Sequence, residues 1–264
     1  KLKDVSGFED LAEFDLVVDY AFAPTAQVLP DILTALNCNV VALNAGIDDT
    51  KMSTSHAAFE RALAQLASIC SVLNTTLGVR LDVGGEKIFL VDDRGHVLPN
   101  TTAAAAMTCL ALEAHGGGKI AVPVNQPSVF ARIAENHGAS IVWTKVDPYD
   151  FGRKCAEEGV VLGCDGTGSF IFPEFQSGMD GLMALAKLLE FLAKQHRSLS
   201  DVVASLPAYY VAQQRVSCPW EAKGTIMRLL YEQYQNYNSE TVDGIKIWLG
   251  TDWVLIRPDP DQPV

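Results

Sequence analysis

Short β-rich runs alternate with longer amphipathic patterns along most of this chain. The run LVVDYAF at residues 16–22 precedes an amphipathic stretch from Val28 to Leu36, and CNVVALN follows at 38–44. A helical pattern from His56 to Leu73 comes next, and then two more strand-like runs. This alternation predicts strands covered by helices, in a layered α/β unit that closes near residue 98.

The same alternation restarts after residue 98. Its successive segments read TAAAAMTCLALEA, KIAVPV, SVFARIAENH, SIVWTKV, VVLG and FIF. An amphipathic helix is then predicted from Asp180 to about His196, with a leucine stripe on one face.

A different texture begins at Ala208, where the helical pattern TIMRLLYEQY precedes the strand-like runs IKIWL and WVLIRP. We therefore predict an α/β protein with two α/β/α layered domains, at residues 1–98 and 99–208, and a partial α+β domain at 209–264.

Composition excludes several classes of partner. The chain has 264 residues, 48% of them hydrophobic, and a formal net charge of −12. That charge repels nucleic acid and anionic membranes, and we expect neither as a partner. The first 15 residues are mixed and charged, unlike a secretory leader, and six widely spaced cysteines indicate reduced, mostly buried thiols, so a cytoplasmic location is expected.

Common catalytic motifs are missing from the sequence. It contains no G-x-S-x-G, H-E-x-x-H or G-x-x-x-x-G-K-[ST] pattern. The glycine-rich loop at 163–168 follows a strand but leads into another strand, FIF, which argues against dinucleotide binding.

Three loops, taken together, carry a family resemblance. They read DVGGEK at 82–87, GCDGTGS at 163–169 and RPDPDQP at 257–263. In order and context they resemble the metal, sugar and phosphate loops of the α-D-phosphohexomutases, the phosphomannomutase/phosphoglucomutase family. The likeness covers essentially the whole chain, and it implies that family's second and third domains, with mixed sheets, and part of its fourth.

The resemblance implies a degenerate metal site on Asp82 and Glu86. The family loop D-x-D-x-D-R holds Mg²⁺ on three carboxylates, whereas here Gly84 replaces the middle one and Lys87 replaces the arginine. Mg²⁺ binding is therefore expected to be weak at most, and no other cofactor is implied. The alternative is a solvated acidic turn.

The second loop resembles the family's G-G-E-x-S-G-H, whose glutamate and serine hold sugar hydroxyls. Asp165 and Thr167 take those places here, and Ser169 replaces the histidine. Residual sugar contact and an ordinary polar turn are both open readings.

The third loop resembles R-P-S-G-T-E-P, which closes on the substrate phosphate. Arg257 is retained, but Asp259 and Asp261 replace the serine and threonine. At ~4 Å and an effective dielectric of about 20, two like charges cost roughly 4 kcal/mol. We expect Arg257 to be a vestigial phosphate ligand, paired with Asp259 or Asp261. Segment 146–149 replaces a further basic phosphate contact of the family.

These losses predict a non-catalytic module. The family's phosphoserine lies in its first domain, which has no counterpart here, so no catalytic residue is assigned. The leading hypothesis is a degenerate phosphomannomutase-like part of a larger sugar-nucleotide enzyme, similar to mannose-1-phosphate guanylyltransferases, with a structural, regulatory or weak sugar-phosphate-binding role. The alternatives are a fragment of an active phosphomannomutase or phosphoglucomutase, and a pure interaction module. Expected partners are a sugar phosphate and the rest of the parent polypeptide; homo-oligomer formation is left open.

Overall fold

The computed structural model describes residues 14–52 and 55–264. Residues 1–13 lie outside this part. They include most of the N-terminal stretch expected not to be a leader and the start of the predicted 1–98 domain.

The first α/β unit is built on a four-stranded mixed sheet in the order β2-β1-β3-β4. Strand β1 runs parallel to β2 and β3, and β4 is antiparallel to β3. The elements are β1 Asp15–Asp19, α1 Leu29–Ala35, β2 Asn39–Leu43, α2 Asp49–Met52, α3 His56–Leu73, β3 Leu77–Leu81 and β4 Ile88–Val91. The predicted bounds of α3, β3 and β4 are confirmed. Each element follows from the pattern of hydrophobic residues within its own segment, so the sequence defines its ends.

The second unit repeats this plan. Its sheet has the order β6-β5-β7-β8, with β5 parallel to β6 and β7 and with β8 antiparallel to β7. The elements are α4 Asn100–His115, β5 Lys119–Pro123, α5 Val129–Asn136, β6 Ser140–Thr144, α6 Pro148–Cys155, β7 Val160–Cys164, β8 Phe170–Ile171, α7 Gly181–Gln195 and α8 Leu199–Ala204. The predicted α/β class with two mixed sheets is confirmed.

The C-terminal unit has one helix and a small antiparallel sheet in the order β11-β10-β9. Its elements are α9 Trp220–Tyr234, β9 Ser239–Glu240, β10 Ile245–Leu249 and β11 Asp252–Ile256. This agrees with an α+β unit, although β9 was not among the predicted strands.

Helix α4 holds the two α/β units together. All ten residues from Ala103 to Leu112 are buried, and a helix that is apolar on all sides is stable only inside a core. Small alanine side chains let α7, α8 and both sheets approach it closely. The result is one continuous core that contains residues of both units.

Two helices of the second unit were not predicted. Asp147 caps α6 by accepting a hydrogen bond from Asp150 N, and Pro148 starts the helix. Ser198 caps α8 in the same way, through Asp201 N. Segment 146–149 therefore forms a helix start, because Asp147 accepts from one free N–H group and Pro148 has no N–H group that would need a partner.

Most of the cysteines are buried, as expected: Cys70, Cys109, Cys155 and Cys164 are buried and Cys38 and Cys218 are half-buried, and all six are free thiols. Burial raises the pKa of the Cys155 thiol to about 12. None of the helices in the described ranges has the length and apolar character needed to cross a bilayer.

Candidate functional site

Loops 82–87 and 163–169, predicted as separate site loops, lie against each other. Ile88 N donates to Gly168 O at 3.0 Å, and Lys87 and Ser169 form an isolated antiparallel bridge. The Lys87 ammonium donates to Thr167 Oγ1 at 2.9 Å. The fold therefore brings one cation and one hydroxyl group together from the two sheets.

The metal loop is closed by its own hydrogen bonds. Asp82 Oδ1 accepts from the N–H groups of Glu86 at 2.8 Å and Lys87 at 2.9 Å. Gly85 has a φ of 71°, and a Cβ there would lie 2.8 Å from Thr25 Cγ2, so the turn requires glycine. Only Asp82 Oδ2 and the exposed Glu86 carboxylate are then left for a cation.

Oxygen atoms are the ligands that Mg²⁺ prefers, so Asp82 and Glu86 have suitable chemistry. However, Gly84 provides no third carboxylate, and the Lys87 ammonium beside the loop opposes a cation. These residues fit at most a water-rich, weak Mg²⁺ site.

The predicted sugar ligands are hydrogen bonded to each other. Asp165 Oδ1 accepts from the N–H groups of Thr167 at 2.7 Å and Ser169 at 3.2 Å, and Asp165 Oδ2 accepts from Thr167 Oγ1 at 2.7 Å. This is the pattern of an Asx turn, so the side chains stabilise the loop itself. The exposed Thr167 hydroxyl still faces Lys87, so the two readings of the loop are compatible.

One polar residue of this region was not predicted. Gln126 is buried and donates through Nε2 to the Asp165 carbonyl at 2.9 Å. Within residues 14–52 and 55–264, neither Gln126 Oε1 nor the buried Ser169 hydroxyl has a hydrogen-bond partner. The available signal was position, because Gln126 follows β5 at the carboxyl edge of a parallel sheet, where ligands commonly bind.

The prediction for the partner of Arg257 is wrong. Its guanidinium lies 3.7 Å from Asp243 Oδ2, not beside Asp259 or Asp261. Asp259 instead accepts from the N–H groups of Asp261 at 2.8 Å and Gln262 at 3.0 Å. The N–H group of Asp261 holds the pKa of the Asp259 carboxyl below its usual value, because it favours the ionised form.

The C-terminal loop is anchored on α9. The Lys223 ammonium donates to the carbonyl groups of Asp259 and Gln262 and lies 3.8 Å from the centre of the Trp220 ring. The tertiary structure explains why Arg257 pairs with Asp243. Because the loop is fixed on α9, the arginine lies next to the turn that precedes β10.

A buried lysine joins the C-terminal unit to the second unit. The Lys246 ammonium lies 4.3 to 4.9 Å from the ring centres of Trp143, Trp248 and Trp253. It donates to the Val124 carbonyl at 3.1 Å. Burial lowers the pKa of Lys246. The sequence offered no local signal for this cluster, because Trp143 lies on β6 and the other members lie on the hairpin formed by β10 and β11.

Comparisons with known proteins show what this chain is similar to. Residues 99–210 match a family model described as phosphoglucomutase/phosphomannomutase, alpha/beta/alpha domain III. A Methanopyrus kandleri protein named "Probable phosphoglucosamine mutase" is 31% identical over 253 residues, which cover 94% of this chain and 56% of that protein. A "Phosphoglucomutase/phosphomannomutase" of Thermococcus kodakarensis is 27% identical, over 94% of this chain and 55% of the relative.

Solved structures show the same fold. A phosphoglucomutase/phosphomannomutase family protein from Burkholderia thailandensis superposes with a TM-score of 0.77 at 20% identity, over 95% of this chain and 54% of the other. The parafusin of Paramecium superposes with a TM-score of 0.70 at 13% identity, over 95% and 52% of the two chains. The chain spans about half the length of the curated relatives it matches.

Proposed function

We propose a function that starts from the match of residues 99–210 to the phosphoglucomutase/phosphomannomutase alpha/beta/alpha domain III. The chain is part of a phosphohexomutase-related protein and recognises a phosphorylated hexose weakly, without transferring its phosphoryl group. One observation carries this proposal: the Lys87 ammonium meets the Thr167 hydroxyl at 2.9 Å, where loops 82–87 and 163–169 join. A lysine donates to phosphate oxygens, and a neighbouring hydroxyl group suits a sugar.

Two features support the lack of catalysis by this chain. In the family that this chain resembles, the phosphoserine belongs to the first domain, whereas the three matched loops belong to later domains. Without that nucleophile the covalent step cannot take place. The Asp259 carboxylate also places a negative charge on loop 257–263 at neutral pH, and this charge opposes a phosphate group.

The test is a mutase assay on the purified chain. We expect no interconversion of mannose 1- and 6-phosphates or of glucose 1- and 6-phosphates, even with an activating bisphosphate and Mg²⁺. The triple substitution Asp259→Ser, Pro260→Gly and Asp261→Thr should strengthen sugar-phosphate binding without producing turnover. Asp252→Ser, at an exposed position on β11, is the matched control for charge removal. Turnover by the unmodified chain that Asp82→Asn abolishes would contradict the proposal.

Lys87→Met tests the binding site directly. Because it removes the ammonium group but keeps the apolar stem, we expect sugar-phosphate affinity to fall by about tenfold, the value of one ordinary charge-assisted hydrogen bond. Titration of the chain with each hexose phosphate, followed by NMR shifts of the Thr167 and Gly168 amides, measures this. Equal affinity of the Lys87→Met variant would exclude this loop junction as the binding site.

A second candidate function is that this chain forms part of an active mutase. The names of the relatives and their greater length favour it. The chain covers 56% of the first relative, so the rest of such a protein has room for a phosphoserine domain. Sequencing the parent gene upstream of Lys1 separates the two candidates. A serine found there in a T-A-S-H-N-P-like loop would support the active mutase. A hexapeptide-repeat β-helix upstream supports the guanylyltransferase-like parent, which rests on the resemblance alone.

A further inference from the structure

Three potential metal ligands converge at the ends of α4 and α5. Cys109 and Glu113 lie one turn apart on α4, and His137 ends α5. Cys109 Sγ is 3.4 Å from Glu113 Oε1 and 3.9 Å from His137 Nε2, and His137 Nε2 is 3.5 Å from Glu113 Oε1. Among the residues that the structure describes, this is the one group of three such side chains whose ligand atoms all lie within 4.8 Å.

The histidine ring is oriented for coordination. His137 Nδ1 lies 2.8 Å from the Ile133 carbonyl oxygen, which can only accept a hydrogen bond. Nδ1 therefore carries the proton in the neutral ring, and the Nε2 lone pair faces Cys109 and Glu113. A backbone carbonyl on the distal nitrogen is the usual support of a metal-bound histidine.

The spacing of the three atoms suits a tetrahedral ion. Zinc bonds of about 2.3 Å to sulfur and about 2.0–2.2 Å to nitrogen and oxygen place neighbouring ligand atoms about 3.3–3.6 Å apart. The observed separations of 3.4, 3.5 and 3.9 Å need a shift of only a few tenths of an ångström. Mg²⁺ is a poor candidate, because thiolate and imidazole are not the ligands of a hard cation.

We propose that Cys109, Glu113 and His137 form a binding site for a zinc-class divalent transition-metal ion. Solvent supplies the fourth ligand, since Glu113 and His137 side chains are 32% and 21% exposed. Binding releases one proton from the Cys109 thiol to solvent, so thiolate and Glu113 together balance the two charges of the ion. The proposal is independent of the proposed sugar-phosphate function, because none of these residues lies on loops 82–87, 163–169 or 257–263.

Arg197 competes with the ion. Its Nη1 lies 3.3 Å from both oxygens of Glu113, and its Nη2 donates to Ser205 Oγ at 2.8 Å. The guanidinium thus neutralises Glu113 when no metal is bound, and it must leave before a cation can use that carboxylate. Arg197→Gln should therefore tighten metal binding, an effect opposite in sign to general damage of the fold.

The test uses the full chain stripped with a chelator and titrated with Zn²⁺ by calorimetry and with Co²⁺ by absorption. We expect one ion per chain and a thiolate-to-cobalt charge-transfer band. Cys109→Ser should remove the band, and His137→Gln should weaken Zn²⁺ affinity by at least about 100-fold, because losing a ligand costs more than the 10–100-fold of losing a residue that only supports one. Glu113→Gln, at a more exposed position, tests the site through a loss of Zn²⁺ affinity if the Cys109 variant does not fold.

The matched controls are His115→Gln and Cys218→Ser. His115 also ends α4 and also places Nδ1 2.8 Å from a backbone carbonyl, that of Ala111, but it is not in the cluster. Both controls should bind metal like the unmodified chain, and Arg197→Gln should bind it more tightly. Unchanged Zn²⁺ affinity in Cys109→Ser and His137→Gln, or the absence of one-to-one binding, overturns the proposal.

Discussion

At the scale of single residues, the two α/β units share a glycine–cysteine contact under the sheet. A Cβ on Gly78 of β3 would lie 2.4 Å from Cys70 Sγ, and one on Gly163 of β7 would lie 2.2 Å from Cys155 Sγ. A glycine on each central strand therefore makes room for a thiol from the covering helix. This explains two of the buried cysteines by packing, without redox or metal chemistry.

Gly163→Ala should destabilise the protein by about 1–3 kcal/mol, because the added methyl group overpacks this contact. Cys155→Ala on top of Gly163→Ala should recover part of that loss, since it removes the colliding sulfur atom. Thermal or urea unfolding of the single and double variants measures the coupling between the two sites.

Gly224→Ala on α9 is the control for this series. A Cβ at this position meets nothing within 4 Å, so the substitution should raise stability by up to about 1 kcal/mol through helix propensity. Strict additivity of Gly163→Ala and Cys155→Ala would show that the predicted contact carries no strain.

At the scale of elements, α8 is fastened to the turn that follows β4. Asp93 accepts hydrogen bonds from Ser200 N and from Ser200 Oγ, both at 2.8 Å. Burial acts to raise the pKa of the Asp93 carboxyl, but hydrogen bonds to the carboxylate, those from Ser200 foremost, together outweigh burial and hold the pKa below its usual value. A helix of the second unit thereby stabilises a charged turn of the first.

Asp93→Asn should remove a contribution to the free energy of unfolding that is present at neutral pH and lost in acid. Because the folded-state pKa is depressed, the carboxylate stabilises the fold above its unfolded-state pKa, and this contribution is lost as pH falls through the folded-state pKa. The free energies of unfolding of the unmodified chain and the variant should thus differ at neutral pH and converge in acid below pH 3.8. Glu60→Gln, on the exposed face of α3, is the control for charge removal. A constant difference between Asp93→Asn and the unmodified chain at all pH values would contradict the account.

At the scale of the whole molecule, the C-terminal unit is held on the second unit by two charged residues. Lys246 is 3% exposed among three tryptophans, and Asp243 Oδ2 accepts from Val146 N at 2.9 Å. A buried ammonium is costly to desolvate unless aromatic faces and a carbonyl oxygen replace its water. The contact between the two units therefore depends on polar groups, and each of its hydrogen bonds needs a partner from both units.

Lys246→Met should loosen this contact while leaving the second unit folded. The variant keeps the apolar stem but loses the Val124 hydrogen bond and the cation–π contacts, together about 2 kcal/mol. Hydrogen exchange should accelerate in β10 and β11 and remain slow in β5 and β7. Lys145→Met, at an exposed position beside the same contact, is the control. Uniform exchange changes throughout the chain would indicate global destabilisation instead.

The sequence alone determined the elements whose information is local. The period of the pattern from His56 to Leu73 and the β-rich runs Leu77–Leu81 and Ile88–Val91 define their own bounds, and the repeated alternation predicted two α/β units. The loops that carry the family resemblance were also found without coordinates. Two of these loops lie between strands, and the third, 257–263, follows β11.

Only the tertiary structure decided which distant side chains meet. Lys87 and Thr167 are 80 positions apart, Cys109 and His137 are 28 apart, and the partner of Arg257 is Asp243 and not a residue of its own loop. Such contacts depend on how sheets and helices pack, and a linear pattern encodes this only through the sum of many weak interactions. Local periodicity therefore specified the elements, whereas close packing around α4 and the docking of α9 and its hairpin specified the candidate sites.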